Sequence, residues 1–183
     1  LQHFDLSKET GKFEQETIIL QNNETVDLIT FITQRGDRKI FSKKDPASIN
    51  LYKSNKLLYG WSKAEALSEN INSEADENYP FLMLDGLTLY FASNGENSIG
   101  GYDIFITRFN ANIDDYLNPE NIGFPFNSLA NDYMLVVDEI NRVGWFVTDR
   151  NQPEDKVVIY SFRYRDEKTY VSVDDRAYLL QAA

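Results

Sequence analysis

The chain has 183 residues, 42% of them hydrophobic and 26% charged, which suits one domain with a real core and is too apolar for a disordered segment. Eighteen basic residues face twenty-nine acidic ones, so the net charge is -11 and nucleic acid or an anionic membrane surface is a poor partner for the chain as a whole. There is no cysteine, which excludes thiolate metal sites and cysteine nucleophiles, and no apolar run approaches the roughly 20 residues that span a bilayer.

The chain opens at Leu1 rather than at a methionine and reads as a piece of a longer protein, its residues 1–20 supplying the closing strands of a preceding repeat. Residues 21–72 form a first repeat, marked by Phe31, Gly36, Phe41, Leu51 and Tyr52. Near its end Ser62 and the helix formers through Leu67 predict a short helix with Ser62 as its N-cap. A second repeat, 73–127, is the clearest. Residues 78–93 read as strand, two-residue Asp85-Gly86 turn and strand; a glycine-rich loop from Asn94 to Gly101 follows, then a strand from Tyr102 to Phe109 and a fourth near 113–122. Residues 128–174 form a third repeat, with its second strand at Arg142–Thr148 and a last strand at Lys168–Val173, and 175–183 are a short tail.

Phe81, Gly86, Phe91, Ile104 and Phe105 of the second repeat match the marker residues of the first at offsets of 50 to 53, and Phe146, Ile159 and Tyr160 continue the series at an offset of 55. The connecting segments Asn72–Tyr79 and Asn127–Tyr133 echo one another as well. Four short strands in a repeat of this length predict a single all-β domain, 1–183: a β-propeller-like stack of four-stranded antiparallel blades, about three blades plus part of another. Large rings such as Phe31, Phe81, Phe41, Phe91 and Phe146 would fill the wedges between blades. So few blades do not close a ring. Further blades in a longer chain are the preferred reading, ahead of a second copy or a composite fourth blade.

Tyr79-Pro80-Phe81, Asp85-Gly86, Leu89–Asn94 and Gly100–Phe105 together resemble the WD-repeat-like, TolB-like β-propeller repeat, and Asn121–Ser128 looks like its inter-blade segment in cell-envelope proteins of the Bacteroidetes type. In that family the propeller commonly follows tetratricopeptide repeats and precedes an OmpA-like peptidoglycan-binding domain. The resemblance therefore implies a periplasmic or outer-membrane-associated setting. The first repeat departs from the motif with Arg35-Gly36 in place of Asp-Gly and no glycine-rich loop, and the third with residues 138–141 at its turn.

Chemistry is sparse. His3, the one histidine, sits at the N-terminal end of the chain, where a Ser-His-Asp triad or a histidine zinc site is hard to build. Gly100-Gly101 lacks the Lys-Ser/Thr ending of a phosphate-binding loop. Asn94, Glu96, Asn97 and Asp103 line a polar loop suited to recognition, with calcium as a minor reading because the spacing is not that of an EF-hand. Tyr102 and Trp61 have rings that can stack on sugars, while Asp149-Arg150 can form a local ion pair or turn clamp. These eight residues are the candidate binding positions. No catalytic residue, metal site or cofactor is expected. The leading expectation is a non-enzymatic scaffold for protein partners in the cell envelope; a glycan or peptidoglycan-binding module and a propeller segment gating a hydrolase in a longer chain are the alternatives.

Overall fold

The computed structural model describes residues 10–165, which form three antiparallel sheets and, among the described residues, no helix. The first sheet comprises β1 (Lys12–Ile19), β2 (Thr25–Ile32), β3 (Arg38–Lys44), β4 (Ile49–Leu57), β5 (Gly60–Trp61) and β6 (Glu65–Ala66), the last two both paired with β4. It is curled, because β2 pairs with β1 along its whole length but with β3 only from Thr30 to Ile32. The second holds β7 (Glu77–Leu82), β8 (Thr88–Ser93) and β9 (Asp103–Asn110), with the two-residue pieces β10 (Asp115–Tyr116) and β11 (Glu120–Asn121) against β9. The third is β12 (Asp132–Asp138), β13 (Val143–Thr148) and β14 (Val158–Arg163).

Three local expectations need correction. The helix at 62–67 is absent: Ser62 Oγ accepts the Asn55 N–H, and Glu65 and Ala66 pair with Lys53 and Tyr52, so cross-strand bonding wins over helix propensity. The strand near 113–122 is reduced to β10 and β11. The Asp85-Gly86 turn is a four-residue loop closed by the Met83 N–H on Thr88 O, and only Gly86 has positive φ, at 69°. Arg35-Gly36 builds the same loop, with the Thr33 N–H on Arg38 O and φ 66° at Gly36, so the departure from Asp-Gly leaves the geometry unchanged. The strand expected at Lys168–Val173 lies outside the described residues.

The repeat offsets have a physical counterpart. Phe41 pairs directly with Tyr52 across β3 and β4, Phe91 with Phe105 across β8 and β9, and Phe146 with Tyr160 across β13 and β14, and the rings stack at 24–26° with centroids 5.2–6.0 Å apart. The connecting segments repeat bond for bond. Asn72 accepts the Leu51 N–H and donates to Leu51 O; Asn127 does the same to Ile104. Ser73 donates its N–H and hydroxyl to the Glu77 carboxylate, and Ser128 donates both to Asp132. Each segment thus uses one amide side chain as a substitute strand edge, satisfying backbone groups that would be costly to bury unpaired.

Packing follows the same order. The first strand of the second sheet, β7, lies on β2, β3 and β4, and the first strand of the third, β12, lies on β7, β8 and β9. Phe31, Ile40, Leu51, Phe81, Leu89 and Ile104 are at most 1% exposed in the resulting core. Full burial of each such side chain is worth about 1.5–3 kcal/mol. Among the described residues no strand of the first sheet packs on a strand of the third.

Candidate functional site

The space between the first and third sheets is a groove of about 540 Å³. Gln15, Asp27 and Ile29 form one wall; Met134, Val147, Asp149 and the loop from Gln152 to Val157 form the other. Tyr79 and Tyr133 make its floor.

Both tyrosines stand at bulges. In β7 the residues Tyr79 and Pro80 together oppose Phe91, and in β12 Tyr133 is an extra residue between Asp132 and Met134, which pair with the adjacent Thr148 and Val147. A bulge re-aims a side chain that regular alternation would send elsewhere. The two rings meet edge to face at 5.4 Å, and Tyr102, just ahead of β9, packs against both at 6.0 and 6.1 Å. Their phenols are held protonated. Burial, then the nearby Asp27 charge, pushes Tyr79 up to about 12. Burial dominates at Tyr133 too, reinforced by the hydrogen bond that its hydroxyl donates to Asp149 at 2.9 Å, and burial followed by the Asp76 charge raises Tyr102. Groups held in this way offer hydrogen bonds and ring edges rather than nucleophiles.

The eight positions singled out from the sequence are dispersed. Asp149 lines the groove, with its carboxylate accepting from Tyr133 and from both nitrogens of Asn131. Arg150 does not pair with Asp149. Its guanidinium bonds the fully buried Asp132 and the carbonyls of Pro125 and Phe126, and lies over the Phe146 ring. Asn94 caps the Asp76 N–H, repeating what Asp149 does for Asn131.

Glu96 and Asn97 border a separate cavity of about 160 Å³, beside the buried Glu77, whose carboxyl is raised by burial against the hydrogen bonds from Ser73 and Ser93. Asp103 is wholly buried; its Oδ2 accepts from the Ile99 N–H and from Asn121, while its Oδ1 has no hydrogen-bond partner among the described residues. Glu96, Asn97 and Asp103 therefore share no exposed ligand face, and among the described residues no three acidic or histidine side chains gather to hold a metal ion. The glycines of this loop serve close approach: a Cβ on Gly100 would meet Ala130 O at 2.5 Å, and one on Gly101 would collide with Asn131 Oδ1.

Trp61 lies on the first sheet, with the ammoniums of Lys39 and Lys56 each 5.0 Å from its centroid. It is on a different sheet from the tyrosine cluster that holds Tyr102. Asp27, Tyr79 and Tyr133 were not foreseen as site residues, although the two tyrosines end the two matching connecting segments, which was the available signal.

No protein-family model, no curated protein and no solved structure matches the chain. No helix of the described residues is long and apolar enough to cross a membrane.

Proposed function

We propose that the chain is a non-enzymatic binding scaffold, a β-propeller-like segment that takes a piece of a protein partner into the groove between its outer sheets. The groove is the observation that carries the reading: its walls belong to two sheets without direct strand contact among the described residues, and its floor offers tyrosine ring edges and protonated hydroxyls of the kind enriched at protein interfaces. Support for blades comes from the three stacked ring pairs at one ladder position, the two connecting segments with matching bonds, and the packing of each first strand on the sheet before it. The cell-envelope setting follows from the repeat resemblance alone. The glycan-binding alternative asked Trp61 and Tyr102 to act together, and their separation on different sheets leaves that reading without a shared aromatic platform.

The test compares the native chain with Gln15→Arg/Gln152→Arg, a double variant that fills the groove from both walls with long charged side chains. Immobilised chains would be exposed to envelope extract and bound proteins quantified. The reading expects one or a few proteins retained by the native chain and lost with the double variant; equal retention by both, or retention of glycan alone, overturns it.

A further inference from the structure

Charge is segregated along the chain. Eight of the eighteen basic residues but only two of the twenty-nine acidic ones fall within residues 35–63, the span from the β2–β3 loop to just past β5. On one face of the first sheet the lysines alternate with rings. Lys39 Nζ lies 4.9 Å from the Phe41 centroid and 5.0 Å from that of Trp61; Lys56 also sits over Trp61, and Lys43 lies over Tyr52 at 4.8 Å.

The matching positions of the other sheets show that this face is different in kind. Two residues before the stacked ring the second and third sheets carry Leu89 and Gly144, and two residues after it Ser93 and Thr148, all buried. There Phe91, Phe105 and Phe146 are buried, with Phe126 packed on Phe146 and Ile71 lining the cavity beside Phe91 and Phe105, and only Tyr160 of the two ring pairs is exposed. The first sheet has Lys39 and Lys43 instead, and among the described residues no strand packs over that face. Lys43 is engaged by Asp45 at 3.3 Å, whereas neither Lys39 nor Lys56 has a carboxylate partner among the described residues.

We infer that this face docks an acidic, extended polypeptide segment of a partner. Three features select that occupant. The ammoniums already cover ring faces, so little open π-surface remains on which a base or a sugar would stack. Lys39 lies opposite Ser54 and Lys56 follows two residues later on the same face of β4, a diagonal of roughly 7–8 Å, which matches carboxylates two residues apart on an extended chain. At the end of the sheet the β4–β5 turn exposes Leu58 (86%) and Tyr59 (93%), an apolar anchor point beside Lys56. The net charge of -11 hides this surface, since attraction of a charged segment depends on the local patch.

The experiment uses a fluorescein-labelled ten-residue peptide of alternating Glu and Thr with a C-terminal Leu, titrated by anisotropy at low and physiological salt. The matched variants are Lys39→Gln/Lys56→Gln, on the face, and Lys44→Gln/Lys53→Gln, on the opposite face of the same strands. They change net charge equally. Saturable binding that weakens at least tenfold in the first variant and less than threefold in the second is expected, with circular dichroism unchanged in both. Absence of binding at low salt, or equal weakening in the two variants, overturns the assignment. So does tighter binding of an oligothymidylate of equal charge, which would give the face to polyphosphates, or a dimer in sedimentation that dissolves in the first variant, which would give it to a second copy.

Discussion

Glu77 and Asp132 accept the same two hydrogen bonds from Ser73 and Ser128 in consecutive connecting segments, but among the described residues only Asp132 has a guanidinium against it. Arg150 supplies that charge, while Gly95 stands at the matching place beside Glu77, 55 residues earlier. One position in the repeat therefore holds a paired carboxylate in one sheet and an unpaired, buried one in the previous sheet.

The unpaired member makes stability depend on pH in an unusual direction for a carboxylate. Burial raises the folded-state value of Glu77 above its ordinary 4.5, so the folded chain binds this proton more tightly than the unfolded chain. Its contribution is full below the ordinary value and is lost as pH rises through the raised one. Urea unfolding of native chain and Glu77→Gln at pH 4 and pH 7 should show the native chain's advantage shrinking, or reversing, at the higher pH. A gap that is constant between the two would contradict the raised value.

Removing Arg150 strands the opposite partner. Arg150→Met leaves the Asp132 carboxylate, 0% exposed, without its cation, and a broken buried pair costs about 3–5 kcal/mol. Thermal and urea denaturation at pH 7 would read this loss. The double variant Arg150→Met/Asp132→Asn should recover part of it, and a single variant as stable as the native chain would remove the pair from the account.

Asn72 and Asn127 should be interchangeable in their energetics. Either asparagine to alanine leaves one N–H of the neighbouring strand without its partner, at about 1–3 kcal/mol, while the carbonyl keeps a backbone donor, the Leu67 N–H on Leu51 O and the Ile122 N–H on Ile104 O. Similar losses in both variants, with hydrogen exchange accelerated at Leu51 in one and Ile104 in the other, would establish the equivalence. Loss in one alone would break it.

Two glycine substitutions separate backbone conformation from close approach. Gly86→Ala meets nothing within 4 Å and bears only the left-handed backbone penalty of about 1–2 kcal/mol. Gly101→Ala pushes on Asn131, which bonds Asp149 and through it Tyr133, so it should cost at least as much and also disturb the groove. Near-ultraviolet circular dichroism, sensitive to packed tyrosines, should change in the second variant and not in the first.

Alkaline titration provides a check on the floor of the groove. Tyr79, Tyr102 and Tyr133 should stay protonated at pH 11, and ultraviolet difference absorbance would count the phenols that do. These raised values stabilise the fold up to the ordinary tyrosine range, and that stability is lost as pH climbs through them. Full ionisation at pH 11 without unfolding would show the cluster to be open to solvent.

The strands were legible where β-branched and aromatic residues cluster, as in Thr88–Ser93 and Val143–Thr148, and the ring spacing marked the repeats, but the rings expected in wedges between blades include three that stack with a ladder partner inside their own sheet. Ser62–Leu67 misled because its helix formers are local while its actual partners, Asn55, Tyr52 and Lys53, lie earlier in the chain. Gly100-Gly101 marks a glycine-rich loop in the sequence, but the cause of the two glycines is the close approach of a segment some 30 residues later. The groove was illegible for the same reason. Asp27, Tyr79 and Tyr133 come from three sheets, and the bulges that turn the tyrosines toward it leave little mark in residue type.

The missing strand contact between the first and third sheets has a consequence for cooperativity. Coupling in this stack runs between nearest neighbours only, so disorder at either outer sheet can be confined by the middle one. An occupant of the groove would be a body touching both outer sheets at once, adding a direct link where the protein has none among its described strands. Binding there would sharpen unfolding into a single steeper transition as well as moving its midpoint.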